Sequence, residues 1–223
     1  MAADAIISYD GTANDDDALA LGRLLALDGA RLELAYVRHA PEFDPQRESL
    51  AQHDAERRLA QGAERLGDAD IPRHVVFSAS TGRGLQELAD SEGAALIVFG
   101  SDYRTPPGHA EPPTSAQQLL EIGDVAVAIA AAGLRAEPSA GISSVAVLPG
   151  EEDGAARETA DALAARIGLD VVAADGAAAD LIVVGSQPDA PGGRVALSGF
   201  ARTVLDASRG SVLVVPAGKP VPF

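Results

Sequence analysis

Two strings, Leu96-Ile97-Val98-Phe99-Gly100-Ser101 and Leu181-Ile182-Val183-Val184-Gly185-Ser186, run almost identically through the sequence. Four apolar, largely β-branched residues closed by a glycine read as a strand buried on both faces, the form strands take in a parallel sheet covered by helices. The repeat extends outward from these strings. SSVAVLPG matches an opening AIISYDG, the Ala-rich stretch from Gly154 to Ile167 matches a first helix, and GSVLVVPAG matches DVAVAIAAAG. An α/β chain built twice from one pattern follows.

The first copy, residues 1–134, alternates short strands with amphipathic stretches, as consecutive βαβ units do. AIISYDG is followed by a helix from about Asp15 to Asp28, with Asn14 as its cap and Ala18, Leu21, Leu24 and Leu25 at helical spacing. LELAYVRHA is the second strand. A polar run from Pro41 to Asp54 reads as a surface loop before a helix that turns Leu59, Ala63 and Leu66 inward. RHVVFSAS, a helix capped by Thr81, ALIVFG, a Pro/Gly-rich loop from Asp102 to Pro113, the helix SAQQLLEIG and DVAVAIAAAG complete five strands.

Leu134 to Ser143, with Pro138 and Gly141 and no periodicity, reads as a linker to a second copy over residues 142–223. That copy is shortened. Only Asp170 to Asp180 stands where the first has two strands and two helices, and too few residues separate DVVAA from LIVV for an ordinary parallel crossover. An irregular or antiparallel arrangement is expected there.

The composition narrows the function. Thirty-three acidic against 17 basic side chains leave a net charge of −16, which opposes the phosphate backbone that dominates nucleic-acid affinity. Cysteine is absent, which removes disulfides, thiol catalysis and thiolate zinc sites. The amino terminus has no basic leader segment and no apolar run is long enough to span a membrane, so a cytoplasmic location is expected.

The order strand-DG-helix, the S-x-x-G-L-x-x-x-A helix, L-I-V-x-G-S and a final V-L-V-V-P strand resembles the universal stress protein family, taken twice in tandem. The residues carrying the resemblance are Tyr9-Asp10-Gly11-Thr12, Gly84-Leu85 with Ala89, Ile97 to Ser101, Ile182 to Ser186 and Val212 to Pro216. It implies an adenine-nucleotide alpha hydrolase-like fold, a mostly parallel five-stranded sheet flanked by helices, with a nucleotide crevice at the carboxyl ends of the strands. By the same resemblance Asp10, with Gly11 beside it, and the main chain at Val37 would contact adenine. A motif of Gly, two residues, Gly, nine residues, then Gly-Ser or Gly-Thr would cradle the phosphates of ATP, with Mg²⁺.

The motif is matched in part. Gly100 and Ser101 supply its start, but Tyr103 stands at the second glycine and Pro113, followed by Thr114-Ser115, at the third. Tyrosine adds bulk and proline removes an N–H, leaving Gly108 and the Thr114-Ser115 pair to offer a cradle of different shape. In the second copy Gly185-Ser186 is followed by Pro188 and by Ser198-Gly199, and Pro149-Gly150 stands where the first has Asp10. That copy is expected to be structural.

Nothing in the order of residues assembles a catalytic set. Asn14-Asp15-Asp16-Asp17 reads as the acidic first turn of a helix rather than as a metal site. His39, His53, His74 and His109 lack zinc spacing, and neither Ser101 nor Ser186 lies in a G-x-S-x-G elbow. No metal ligand and no catalytic residue is expected. The strands VAVAIA and SVLVVP, each an apolar edge, are expected to join the two copies, and the shortened second copy leaves edges or faces for a homodimer to cover. A universal stress response protein that binds an adenine nucleotide with little or no hydrolysis is the leading reading, and a protein-interaction module with closed crevices is its rival.

Overall fold

The computed structural model describes residues 4–26, 29–136, 141–148, 154–174, 179–207 and 209–223. Nine strands form one sheet among the described residues: β1 (Ala5–Ser8), β2 (Leu32–Arg38), β3 (Arg73–Phe77), β4 (Leu96–Phe99), β5 (Ala126–Ile129), β6 (Val145–Val147), β7 (Val171–Ala173), β8 (Leu181–Val184) and β9 (Ser211–Val214). Six helices connect them: α1 (Ala13–Leu25), α2 (Pro45–Leu66), α3 (Thr81–Glu92), α4 (Thr114–Ile122), α5 (Ala155–Ile167) and α6 (Gly199–Ala207).

The strand order is β3-β2-β1-β4-β5-β9-β8-β6-β7. Every neighbouring pair is parallel except β5 and β9, which run antiparallel with Val127 opposite Val214 and Ile129 opposite Val212. Read outward from that pair, β5-β4-β1-β2-β3 on one side is answered by β9-β8-β6-β7 on the other. The second half lacks counterparts of β3, α2 and α3.

Strand side chains alternate faces, so β1 sends Ala5 and Ile7 to one core and Ile6 to another. The first core is continuous across both halves, under α1, α2 and α5, and holds Leu21, Leu59 and Leu163. The opposite face is split into a core under α3 and α4, with Leu85 and Leu119, and one holding Ala201 of α6.

Several boundaries differ from the sequence reading, each for a local reason. The stretch expected to loop until Asp54 is helical from Pro45, because Asp44 accepts from the Gln46 and Arg47 N–H groups and proline takes the first helical position. Its charged residues lie on the solvent face. Helix α1 starts earlier than expected, capped by Thr12 rather than Asn14, and α3 is capped by Ser80 rather than Thr81. Asp28, its expected end, lies outside the described residues, as do Pro138 of the linker and the Pro149-Gly150 pair.

β7 and β8 are neither irregular nor antiparallel. Both pair parallel with β6, one on each side, and not with each other. Within the linker, Leu134–Ala136 forms a 3-10 turn and Ile142 packs on the shared core.

Candidate functional site

In an open sheet the crevice forms where successive connections leave for opposite faces, between β1 and β4 in this chain. Its floor is the chain after each of those strands. Beyond Ser8, the Tyr9 N–H bonds the Ala35 carbonyl at 2.9 Å, and the tyrosine is fully buried with its hydroxyl toward Asp16. Asp10 follows, then Gly11 at φ +83°, which turns the chain into α1 at little cost because glycine has no Cβ.

The α1 N-terminus is closed by its own residues. The Asp15 carboxylate accepts from the Asp10 N–H at 3.0 Å and from the Thr12 N–H and hydroxyl at 2.8 Å each, while Thr12 Oγ1 accepts from the Asp15 N–H. A capping box of this kind satisfies two of the four N–H groups that a helix start leaves unpaired. Asn14 reaches across and donates to the Ser101 carbonyl at 2.8 Å. A Cβ on Gly100 would lie 2.2 Å from the Asn14 carbonyl oxygen, so this glycine is the close contact between β4 and the helix start.

The Ser101 hydroxyl is buried and fully engaged. It lies 2.6 Å from the Ala130 carbonyl and 3.5 Å from the His109 carbonyl, and it accepts from the Glu111 N–H at 3.2 Å. Ser186 repeats the arrangement on Arg194, Ala196 and Val215, with partners 8, 10 and 29 residues onward in both halves. The two serines therefore fasten the loops after β4 and β8 to the ends of β5 and β9. The shared spacing was visible in the sequence as Gly-Ser with Pro106 and Gly108 in one half and Pro191 and Gly193 in the other. Reading only the family glycine positions passed over it.

The two short helices differ at their starts. Ser198 accepts from the Ala201 N–H at 3.0 Å and so caps α6, of which Gly199 is the first residue. α4 has Pro113 at its cap position with no side-chain hydrogen bond, leaving the N–H groups of the Thr114-Ser115 turn uncapped, with Thr114 exposed.

Val37 lies where β1 no longer covers β2. In a parallel ladder alternate residues bond alternate neighbours. Leu34 bonds β3 through the Pro72 carbonyl and Arg38 through the Ser78 N–H, so the odd residues between them face β1. The β1 register stops at Ser8 opposite Ala35. The Val37 N–H and carbonyl thus extend past the last rung, on the side where the chain turns off through Tyr9 and Asp10.

Asp10 keeps solvent access and, among the described residues, its carboxylate receives no hydrogen bond. Loss of hydration among the surrounding protein atoms raises its pKa above the ordinary value, the Asp15 charge raises it further, and Arg58 and His39 oppose both. Burial raises Asp15 likewise, against its bonds from Thr12 and Asp10.

An acid whose folded pKa is raised favours the fold most when protonated, and that contribution is lost as pH rises from the unfolded pKa through the folded one. Asp10→Asn is therefore expected to melt slightly higher than the parent at neutral pH. The gain should vanish below about pH 4, where the parent carboxyl is itself neutral. Thermal melts at both pH values check this; an advantage that persists in acid would remove ionisation as its cause.

One group of metal-type donors is assembled that the sequence spacing did not suggest. Ligand atoms of Glu33, His74 and Glu92 lie within 4.8 Å of one another. Arg31 already supplies the positive charge, 2.9 Å from the nearly buried Glu33 carboxylate, which also lies 2.7 Å from His74. The group closes the edge of the sheet away from the crevice.

The Asp10 carboxylate and the Val37 main-chain N–H and carbonyl are acceptor and donor types that an adenine hydrogen-bonding edge can use. The phosphate cradle of the family pattern does not fit: Gly100 is filled by Asn14, Ser101 is engaged, and Tyr103 and Pro113 replace two glycines.

A doubly wound, mostly parallel α/β sheet with its switch point between β1 and β4 defines the class of protein. The family model that matches is that of the universal stress protein family, over residues 5–110. In three dimensions it is similar over 96% of its length to a functionally unknown protein from Pseudomonas aeruginosa PAO1, with 93% of that chain covered, a TM-score of 0.66 and 17% identity. A putative universal stress protein from Pseudomonas aeruginosa UCBPP-PA14 gives 0.63 at 18% identity, covering 96% of this chain and 93% of that one. One from Archaeoglobus fulgidus gives 0.64 at 12% identity, covering 96% of both chains. No curated protein matches in sequence. No helix among the described residues is long and apolar enough to cross a membrane.

Proposed function

We propose that this is a stress-response binding protein whose first half holds the adenine end of a nucleotide, with little or no turnover of its phosphates, and whose second half is a shortened structural copy. The observation that carries the reading is the pairing of an unbonded Asp10 carboxylate with the Val37 main chain beyond the end of the β1 ladder. The carboxylate accepts from an exocyclic amine, and the main-chain N–H donates to a ring nitrogen. Phosphates would run toward the uncapped first turn of α4 at Thr114 and Ser115. Asp102 and Glu111 stand nearby, so a triphosphate would need Mg²⁺ while adenosine would not. The protein is placed in the cytoplasm, with β5 and β9 serving as the joint between its halves and a homodimer covering the outer edges.

The test is an equilibrium titration of nucleotide-stripped protein with ATP plus Mg²⁺ and, separately, with adenosine. Saturation at one site per chain is expected, weakened about tenfold by Asp10→Ala, the equivalent of ~1.4 kcal/mol. Absence of binding at millimolar ligand, or an Asp10→Ala protein that binds as the parent does, would overturn the reading.

The Ser101 and Ser186 fastenings favour a second reading, a protein-interaction module whose crevices stay closed. Under it, pull-downs recover the same partners with and without ATP; nucleotide-dependent recovery would count against it.

A further inference from the structure

The antiparallel junction of β5 and β9 creates a cavity of about 560 Å³ that belongs to neither half alone. Its floor is Ile129, Val212 and Val214, the outward residues of the two joined strands. Its walls are α4 and α6, which carry matched residues on opposite sides: Leu120 faces Leu205, and Glu121 is answered by Asp206. The loops after β4 and β8 close the ends, held by the Ser101 and Ser186 fastenings. Both its size and its apolar floor suit a small organic ligand.

The charges decide which kind. Asp102, Glu111, Glu121 and Asp206 line the cavity against one cation, Arg202. Among the described residues the Asp102 carboxylate accepts only from the Arg104 N–H, and the Glu111 carboxylate only from the Thr105 hydroxyl. Glu121, Asp206 and Arg202 form no ion pair among the described residues. Asp102, Glu111 and Glu121 on the first-half side and Asp206 beside Arg202 on α6 leave the cavity with an excess of negative charge, which over an apolar floor concentrates cations, the more so on a chain of net charge −16. Each helix contributes one carboxylate, Glu121 from α4 and Asp206 from α6, while the apolar floor is shared.

We infer that this cavity binds an organic cation with an apolar body, and that a molecule cationic at both ends binds best. The site shares Asp102, Glu111 and Thr114 with the proposed phosphate path but not Asp10 or Val37, and its binding of a cation does not depend on the nucleotide reading. It exists only because the two halves are joined through β5 and β9, so a single half would hold only half of it.

The probes are decamethonium, with two quaternary ammonium ends on a decane chain, decyltrimethylammonium with one, decanoate with a negative end, and tetramethylammonium with no apolar body. Calorimetric titration of the full chain at low ionic strength should rank them in that order of charge and body: decamethonium tightest, decyltrimethylammonium weaker, decanoate and tetramethylammonium not bound. The double variant Glu121→Gln with Asp206→Asn should weaken decamethonium at least tenfold and erase its advantage over decyltrimethylammonium. Both positions are exposed, and an unchanged thermal melt establishes that the variant is folded. Decanoate binding as well as the cations, tetramethylammonium matching decamethonium, or a double variant with parental affinity would each overturn the proposal. Asp10→Ala should leave decamethonium binding intact, which separates failure of this site from failure of the crevice.

Discussion

Asp17→Ala is expected to lower stability by about 3 kcal/mol, from three lost charge-assisted bonds and the unpaired donors they leave. Asp17 is completely buried in α1, yet its carboxylate holds the chain just beyond β5. It accepts from the Gly133 N–H at 2.9 Å, the Arg135 N–H at 2.7 Å and the Arg135 guanidinium at 2.6 Å. Two of these donors are main-chain groups at the start of the passage from the first half to the second. Alanine would leave both without an acceptor and open a void beneath the 3-10 turn. For a chain of this length the loss corresponds to roughly 6–12 °C in melting temperature. Asp17→Asn should recover only part of it, because the amide keeps one acceptor oxygen and no charge. A melt within 2 °C of the parent, taken as an approximate error of such scans, would show that the bonds contribute no net stability.

Gly100→Ala is expected to be comparably damaging, by about 3 kcal/mol or more, because the added Cβ meets main chain rather than a movable side chain. It would lie 2.2 Å from the Asn14 oxygen and 2.5 Å from its carbonyl carbon. Relief requires α1 to move away from β4, which also breaks the Asn14 bond to the Ser101 carbonyl. Gly141→Ala is the control, since a Cβ there meets nothing within 4 Å and the residue has no positive φ. Urea midpoints for the two variants measure the difference. A Gly100→Ala protein as stable as the Gly141→Ala protein would mean that the close approach is absent, and would return Gly100 to the candidates for phosphate contact.

The inner part of the sheet was legible because its strands are buried on both faces, and such strands must be written as unbroken apolar runs. Leu96 to Phe99 and Leu181 to Val184 each have every residue buried, and each stands out without any partner being known. Helix ends were less legible, since the signal is one polar side chain among several candidates. Thr12, Asn14 and Asp15 can all cap, and only the reciprocal bonds of Thr12 and Asp15 select the first. At α2 the Asp44-Pro45 start was present but lay inside a charged stretch that resembles a loop when composition is weighed above capping.

What the sequence determined by itself is the local content of this protein: which segments are strands, that two of them carry nearly the same string, and that the net charge is −16. Those properties depend on side chains within one element. The tertiary structure alone decided the use of Gly100, set by an Asn14 carbonyl on another element, the engagement of Ser101 by residues up to 29 positions away, and the place of β7 beyond β6. It also decided the cavity, whose walls come from helices of different halves and face one another only after β5 and β9 have paired antiparallel. Contacts between elements carry no local periodicity, so the chain must be folded before its distances, and the chemistry that depends on them, exist.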